Sequence, residues 1–302
     1  MANTVERASA FVSAQIGKET TRGTGVAATA VLRGLMVTPQ AKIDTKEIRG
    51  GGLAPVAYAL GRDYVEAKVE GTPSFEELGF ILNSALCQPA LGVYAPENYE
   101  ENVFDSYTIQ VGNATSCESF TGGVFTGFGI KYTPESVDLT ADIIGNQLAA
   151  PGTWTAALTP GNYSPILPGQ CTVKVATVTQ TRVFEFDLNF TGHLKPIYTI
   201  NGSYVVANLV ESKPDGSIKI ECEMDAQGLA HLTRLRAGNA TTDVEINAVN
   251  ATRNFKLNMA TQIKDIDSFK MTDTTYNVAY TLGMVYDENN SYYIKATLDS
   301  TI

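Results

Sequence analysis

Histidine is almost missing from this chain: of 302 residues, only His193 and His231 carry an imidazole. The most frequent general base and metal ligand of proteins is therefore scarce. Neither histidine is accompanied by the serine or cysteine elbow that nucleophilic catalysis requires. Cysteine is nearly as rare, and Cys87, Cys117, Cys171 and Cys222 are widely and irregularly spaced. That spacing is neither a zinc pattern nor a disulfide framework, so free, buried thiols made in a reducing cytoplasm are the simplest reading. No stretch approaches the roughly 18 apolar residues of a membrane span. The first residues, Met1 to Arg7, contain no apolar run, which predicts no secretory signal. Basic residues number 22 against 32 acidic ones, a net charge of −10. This excludes the basic footprint of a phosphate-gripping nucleic-acid binder and argues against an anionic membrane surface as partner.

What is present points to strands. The chain is 44% hydrophobic and 18% charged, enough to bury a core, and its 26 Gly and 14 Tyr suit turns and strands. Tyr64 to Glu70 alternates Val65, Ala67 and Val69 with Glu66, Lys68 and Glu70, the period of a half-buried strand. Val183 to Phe190 sets Phe184, Phe186, Leu188 and Phe190 against Glu185, Asp187 and Asn189. Ser217 to Met224 sets Ile218, Ile220 and Cys222 against Lys219, Glu221 and Glu223. Two helices are predicted. Pro73 to Leu86 has Thr72 as N-cap and a stripe of Phe75, Leu78, Leu82 and Leu86; Ala226 to Ala237 has Asp225 as cap and Leu229, Leu232 and Leu235 as stripe. The chain is predicted to close with a hairpin from Tyr276 to Leu298.

The two halves match in order. A charged strand, a helix, a short strand (Tyr107 to Val111, or Val244 to Ala248, with Ile109 matching Ile246) and a long hairpin (Gly123 to Gly145, or Phe255 to Leu298) occur twice. Tandem duplication explains this better than coincidence. The expected division is an arm over 1–30, a first β domain over 31–160 and a second over 161–302, with the Pro-rich stretch around Trp154 between them.

Motifs for chemistry fail on inspection. Gly23, Gly25 and Ala28 mimic a dinucleotide fingerprint, but they follow Lys18-Glu-Thr-Thr-Arg22 rather than a buried strand. Asp287, Asn289 and Ser291 mimic a calcium loop, but Tyr292 replaces its glycine and Leu298 its bidentate glutamate. Paired carboxylates such as Glu221 and Glu223 read as a solvated sheet face. The expectation is a protein that is not an enzyme and binds no cofactor or metal.

Phe11 to Leu35, the helix after a charged strand at Thr72 to Leu86, and Ser119 to Lys131 with Ser136 to Asp142 form one pattern, and Phe184 to Asn201, followed by a long loop to Gly216, continues it in the second half. In this pattern the chain resembles the tail tube proteins of long-tailed, siphovirus-type bacteriophages. The resemblance implies a mainly β fold of two tandem β-sandwich domains, each with one flanking helix, oligomerising into a ring-shaped β-barrel. Six domains per ring would come from a trimer of chains with pseudo-sixfold symmetry. The implied partners are copies of itself, a tape-measure protein and passing double-stranded DNA, in a virion tail assembled in the host cytoplasm. Gly50, Gly51 and Gly52, within an expected loop from Ile48 to Arg62, are candidates for contact between stacked rings. Glu185, Asp187, Glu221 and Glu223 are candidates for an acidic lumen that repels DNA. The alternative is a tandem β-sandwich adhesin or carbohydrate-binding protein, which would gather surface aromatics in a groove.

Overall fold

The computed structural model describes residues 13–49, 56–100, 102–191, 194–197, 208–223, 240–251, 253–272 and 275–299, with single positions between 226 and 237. In chain order the elements are β1 (Ser13–Lys18), β2 (Ala30–Leu32), β3 (Leu35–Ile48), β4 (Ala57–Gly71), α1 (Phe75–Ala85), β5 (Val93–Tyr94) and β6 (Tyr107–Gly112). Next come β7 (Cys117–Tyr132), β8 (Val137–Gly145), β9 (Cys171–Val175), β10 (Val178–Thr179), β11 (Val183–Thr191), β12 (Leu194–Ile197) and β13 (Asn208–Glu211). The chain ends with β14 (Asp215–Glu223), β15 (Thr242–Asn250), β16 (Arg253–Thr272), β17 (Thr275–Met284) and β18 (Ile294–Leu298).

The protein is mainly β, built around a large antiparallel sheet. One stretch of that sheet runs β3-β4-β8-β7-β11-β14-β17-β16. Alternation decides which face is buried. Val65, Ala67 and Val69 of β4, Phe186, Leu188 and Phe190 of β11, and Ile218, Ile220 and Cys222 of β14 all lie in the core. Direct pairing stacks them into rows: Leu188 stands opposite Ile130 on one side and Ile218 on the other. Each such side chain taken fully from water contributes about 1.5–3 kcal/mol.

β7 and β16 are long enough to pair with different strands along their length. The first part of β7 pairs with β6, which pairs with β1 and so with β2. The first part of β16 pairs with β15, which pairs with β9 and so with β10. The strand order therefore repeats: β2-β1-β6-β7-β8-β4-β3 in the first half and β10-β9-β15-β16-β17-β14-β11 in the second. Partners across β8 and β17 equate Ala67 with Ile218 and Val69 with Ile220. The alternation of the two strands allows equally a match two residues along, Val65 with Ile218. A slip of two keeps every side chain on its face, so periodicity alone does not set it.

Several expectations are corrected. Residues 1–30 do not all precede the core, because β1 lies among them with Ala14 and Ile16 buried. The N-cap of α1 is Ser74 and not Thr72: the Ser74 hydroxyl accepts the Glu77 N–H at 3.2 Å, and Pro73 lies outside the helix. The stripe Phe75, Leu78, Leu82 and Leu86 is fully buried as expected. The loop expected from Ile48 to Arg62 is shorter, since Ala57 to Arg62 form part of β4 and Ala57 pairs with Ile48. Phe184 does not join the buried row of β11, because a bulge between Val183 and Glu185 takes it out of register. The terminal hairpin also differs. β18 does not pair with β17 but follows it along the same edge of β16, with Leu298 opposite Phe255. The helix expected at Ala226 to Ala237 falls mostly outside the described residues. Ala226, Leu229, Ala230 and Thr233 are helical, and Leu229 is exposed.

Candidate functional site

No catalytic constellation emerges among the described residues. They hold no group of three or more His, Cys, Asp or Glu able to grip a metal, and no helix long and apolar enough to cross a membrane. His193 and His231 lie outside the described residues. None of the four cysteines is in a disulfide. Burial, reinforced by Glu211 and Glu97, pushes the Cys87 thiol up to about 12, and burial raises Cys171 to about 11. Both are thiols rather than reactive thiolates at neutral pH.

The glycine-rich loop after β1 holds one of the chain's own carboxylates. Glu19 is buried and accepts the Gly23 and Gly122 N–H groups at 2.8 and 2.9 Å, with the Ser106 and Thr108 hydroxyls both at 2.8 Å. Four donors replace the water that this carboxylate loses. Asp287 likewise accepts the Asn289 N–H at 2.9 Å and the Asn290 side-chain amide at 2.7 Å, which makes the calcium-loop mimic a self-bonded turn.

The polar face of the large sheet is the first candidate. Glu185 and Glu221 are direct cross-strand neighbours, and Asp187 faces Lys219. Glu223 forms an ion pair with Arg182, and Glu185 pairs with Lys131 at 3.2 Å. The four expected acidic residues thus share one face, partly neutralised. Alternation adds Glu66, Glu70, Asp138 and Asp142 to it, spread over β4 and β8. Each of these strands looked like an isolated solvated face in the sequence; only the pairing order unites them. Two open depressions lie on this face. One of about 770 Å³ is lined by Gln40, Glu66, Lys68, Glu70 and Asp142, and one of about 260 Å³ by Lys131, Asp138 and Asp187.

The joint between the halves is the second feature. β11 pairs with β7 from Phe186 opposite Tyr132 to Phe190 opposite Phe128. Gly127 makes the close approach possible, since a Cβ there would lie 2.5 Å from the Phe190 carbonyl oxygen. Around the ladder, β5 pairs with β18, Glu76 of α1 meets Arg253 of β16 at 2.6 Å, and the Asn102 side-chain amide donates to Glu211 at 2.6 Å.

At the outer ends the same two edges are open. β3, the equivalent of β11, pairs only with β4 among the described residues. Beyond Thr261, β16, the equivalent of β7, pairs only with β17 among them. Gly50, Gly51 and Gly52 lie outside the described residues, but the β3–β4 hairpin that carries them exposes Ile43, Ile48, Val56, Tyr58 and Leu60.

No family model matches the chain, and no curated protein matches its sequence.

Proposed function

We propose that this protein is a structural subunit that polymerises head to tail through its sheet edges and serves as the tail tube of a long-tailed bacteriophage. The observation that supports this reading most is the pair of open edges. The chain joins its own halves through β11 and β7, and among the described residues no second strand lies along β3 beyond β4 or along the last part of β16 beyond β17. A contact in which one end meets the other end of the next copy is heterologous, and it closes into a ring when the rotation closes. Closure would also remove two long edges that otherwise invite uncontrolled aggregation.

In this reading each half is a β-sandwich domain with a helix, and three chains give a six-domain ring whose merged sheets form a barrel. The polar face, with Glu185, Asp187, Glu221 and Glu223, lines the lumen, where a net negative surface lets a polyanion pass without adhering. The exposed apolar side chains of β3 and β4 meet the next ring, as do Gly50 to Gly52, which lie between these strands in the chain. The partners are copies of the chain, a tape-measure protein during assembly and DNA in transit, and the protein resides in the virion. No catalytic step is part of this reading.

Negative-stain microscopy with native mass measurement tests it. Hollow rings or tubes wide enough for a DNA duplex, in multiples of three chains, are the expected result. Six full chains per ring would overturn the trimer, and a monodisperse monomer that binds glycans would overturn the tube.

A further inference from the structure

Resting on that reading, we infer the register of the contact between copies: β3 of one chain adds antiparallel to β16 of the next, with Gln40 opposite Asp267 and Ala41 opposite Ile266. The internal joint supplies the template. In it, Asn189 stands opposite Gly129 and Phe190 opposite Phe128. Pairing through β4 and β14 equates Gln40 with Asn189 and Ala41 with Phe190. On the other side, β7 bulges between Phe125 and Gly127, and β16 bulges at the same place against its hairpin partner, between Ile263 and Asp265. Aligning the bulges equates Phe128 with Ile266 and Gly129 with Asp267.

Three independent features fit this register. Ile266 is a partly buried member of the apolar face, so Ala41 meets a residue of its own kind, while Gln40 and Asp267 share the polar face. Pro39 has no N–H to donate, and it falls beside the second irregularity of β16, between Asp267 and Lys270, where the ladder is already interrupted. Leu229, one of the few helical positions described after β14, supplies the third. α1 packs on β7 and reaches across the joint to β16 and β18. Its Leu78 is 0% exposed, whereas Leu229, at the matching position after β14, is 54% exposed. A neighbour added in this register stands where the second half stands for α1, and Leu229 becomes buried.

Cysteine cross-linking tests the inference on the full chain in a Cys171→Ala background. Residues directly opposite on antiparallel strands have Cα atoms about 4.5–5.5 Å apart, within disulfide reach. Oxidation of the Gln40→Cys/Asp267→Cys variant with diamide should give a ladder of linked chains on a denaturing, non-reducing gel. The slipped pair Gln40→Cys/Asp265→Cys should link at least tenfold less. Leu229→Asp should leave the melting of the isolated chain unchanged and weaken assembly at least tenfold. Assembly without the Gln40–Asp267 link, or equal linking of the slipped pair, overturns the register and leaves the structural reading standing. A chain that stays monomeric by mass at every concentration overturns both.

Discussion

Phe190 of β11 lies directly opposite Phe128 of β7, their ring centroids 5.6 Å apart and tilted by 42°. Both side chains are buried, and they close the ladder that joins the two halves. Phe190→Ala removes a large side chain from a packed row, so a loss of about 3–5 kcal/mol is expected. Urea unfolding followed by circular dichroism measures it. A loss below about 1 kcal/mol would show that the joint contributes little to the fold.

Glu77 is a buried carboxylate at the start of α1. It accepts the Arg33 N–H, the Gly34 N–H at 3.0 Å and the Ser74 hydroxyl at 2.8 Å. Glu77→Ala leaves these donors unsatisfied, with an expected cost of roughly 3 kcal/mol or more. Ser74→Ala removes the cap and one donor to Glu77 but leaves the Arg33 and Gly34 N–H groups bonded, and should cost less, about 1–2 kcal/mol. Thermal denaturation of the two variants should preserve that order.

Glu245 gives a pH signature. Burial alone would raise its carboxyl, but Lys174 at 2.8 Å and Lys256 at 2.5 Å outweigh burial and hold it below its ordinary 4.5. A carboxylate depressed in the folded state stabilises above the unfolded value, and that stability is lost as pH falls through the folded one. The stability gap between the wild type and Glu245→Gln should therefore be widest at neutral pH and shrink below about pH 4. Urea midpoints at pH 7 and pH 3 check this; an unchanged gap would refute the role of the two lysines.

Tyr58 and Leu60 stand exposed on β4, at 65% and 64%, far from the core. Surface changes of this kind alter stability by no more than about 0.5 kcal/mol. Tyr58→Ser/Leu60→Ser should therefore melt like the wild type yet shorten the assemblies seen by microscopy. Tubes of normal length would remove the β3–β4 hairpin from the contacts between rings.

The sequence makes strands and their faces legible, because alternation is local. Ile218, Ile220 and Cys222 are buried as their spacing predicts, and so are Phe186, Leu188 and Phe190. Registers and partners are not local. Thr72 and Ser74 are both competent caps; Ser74 prevails because Glu77, three residues on, bonds its hydroxyl and also holds Arg33 and Gly34, which are far away in the chain. Tyr292 to Leu298 looks like the return strand of a short hairpin, yet the length of β16 lets β17 and β18 share one edge. The acidic residues of β4, β11 and β14 are legible strand by strand, but their union in one face is not, since β4 and β8 are far from β11 and β14 in the chain and joined to them through β7 in the sheet. The open edges had no local signal at all. An edge is defined by the absence of a neighbour.

β7 pairs in its first part with β6 and in its last part with both β8 and β11, so one continuous strand ties β6 to the joint. This has a mechanical meaning. A pull directed along β7 loads the hydrogen bonds to β11 in shear, and they must yield together. A pull across the strands peels them apart one after another. A molecule built this way resists stretching along its strands far more than splaying, and a single-molecule pulling experiment from the two directions would register that anisotropy.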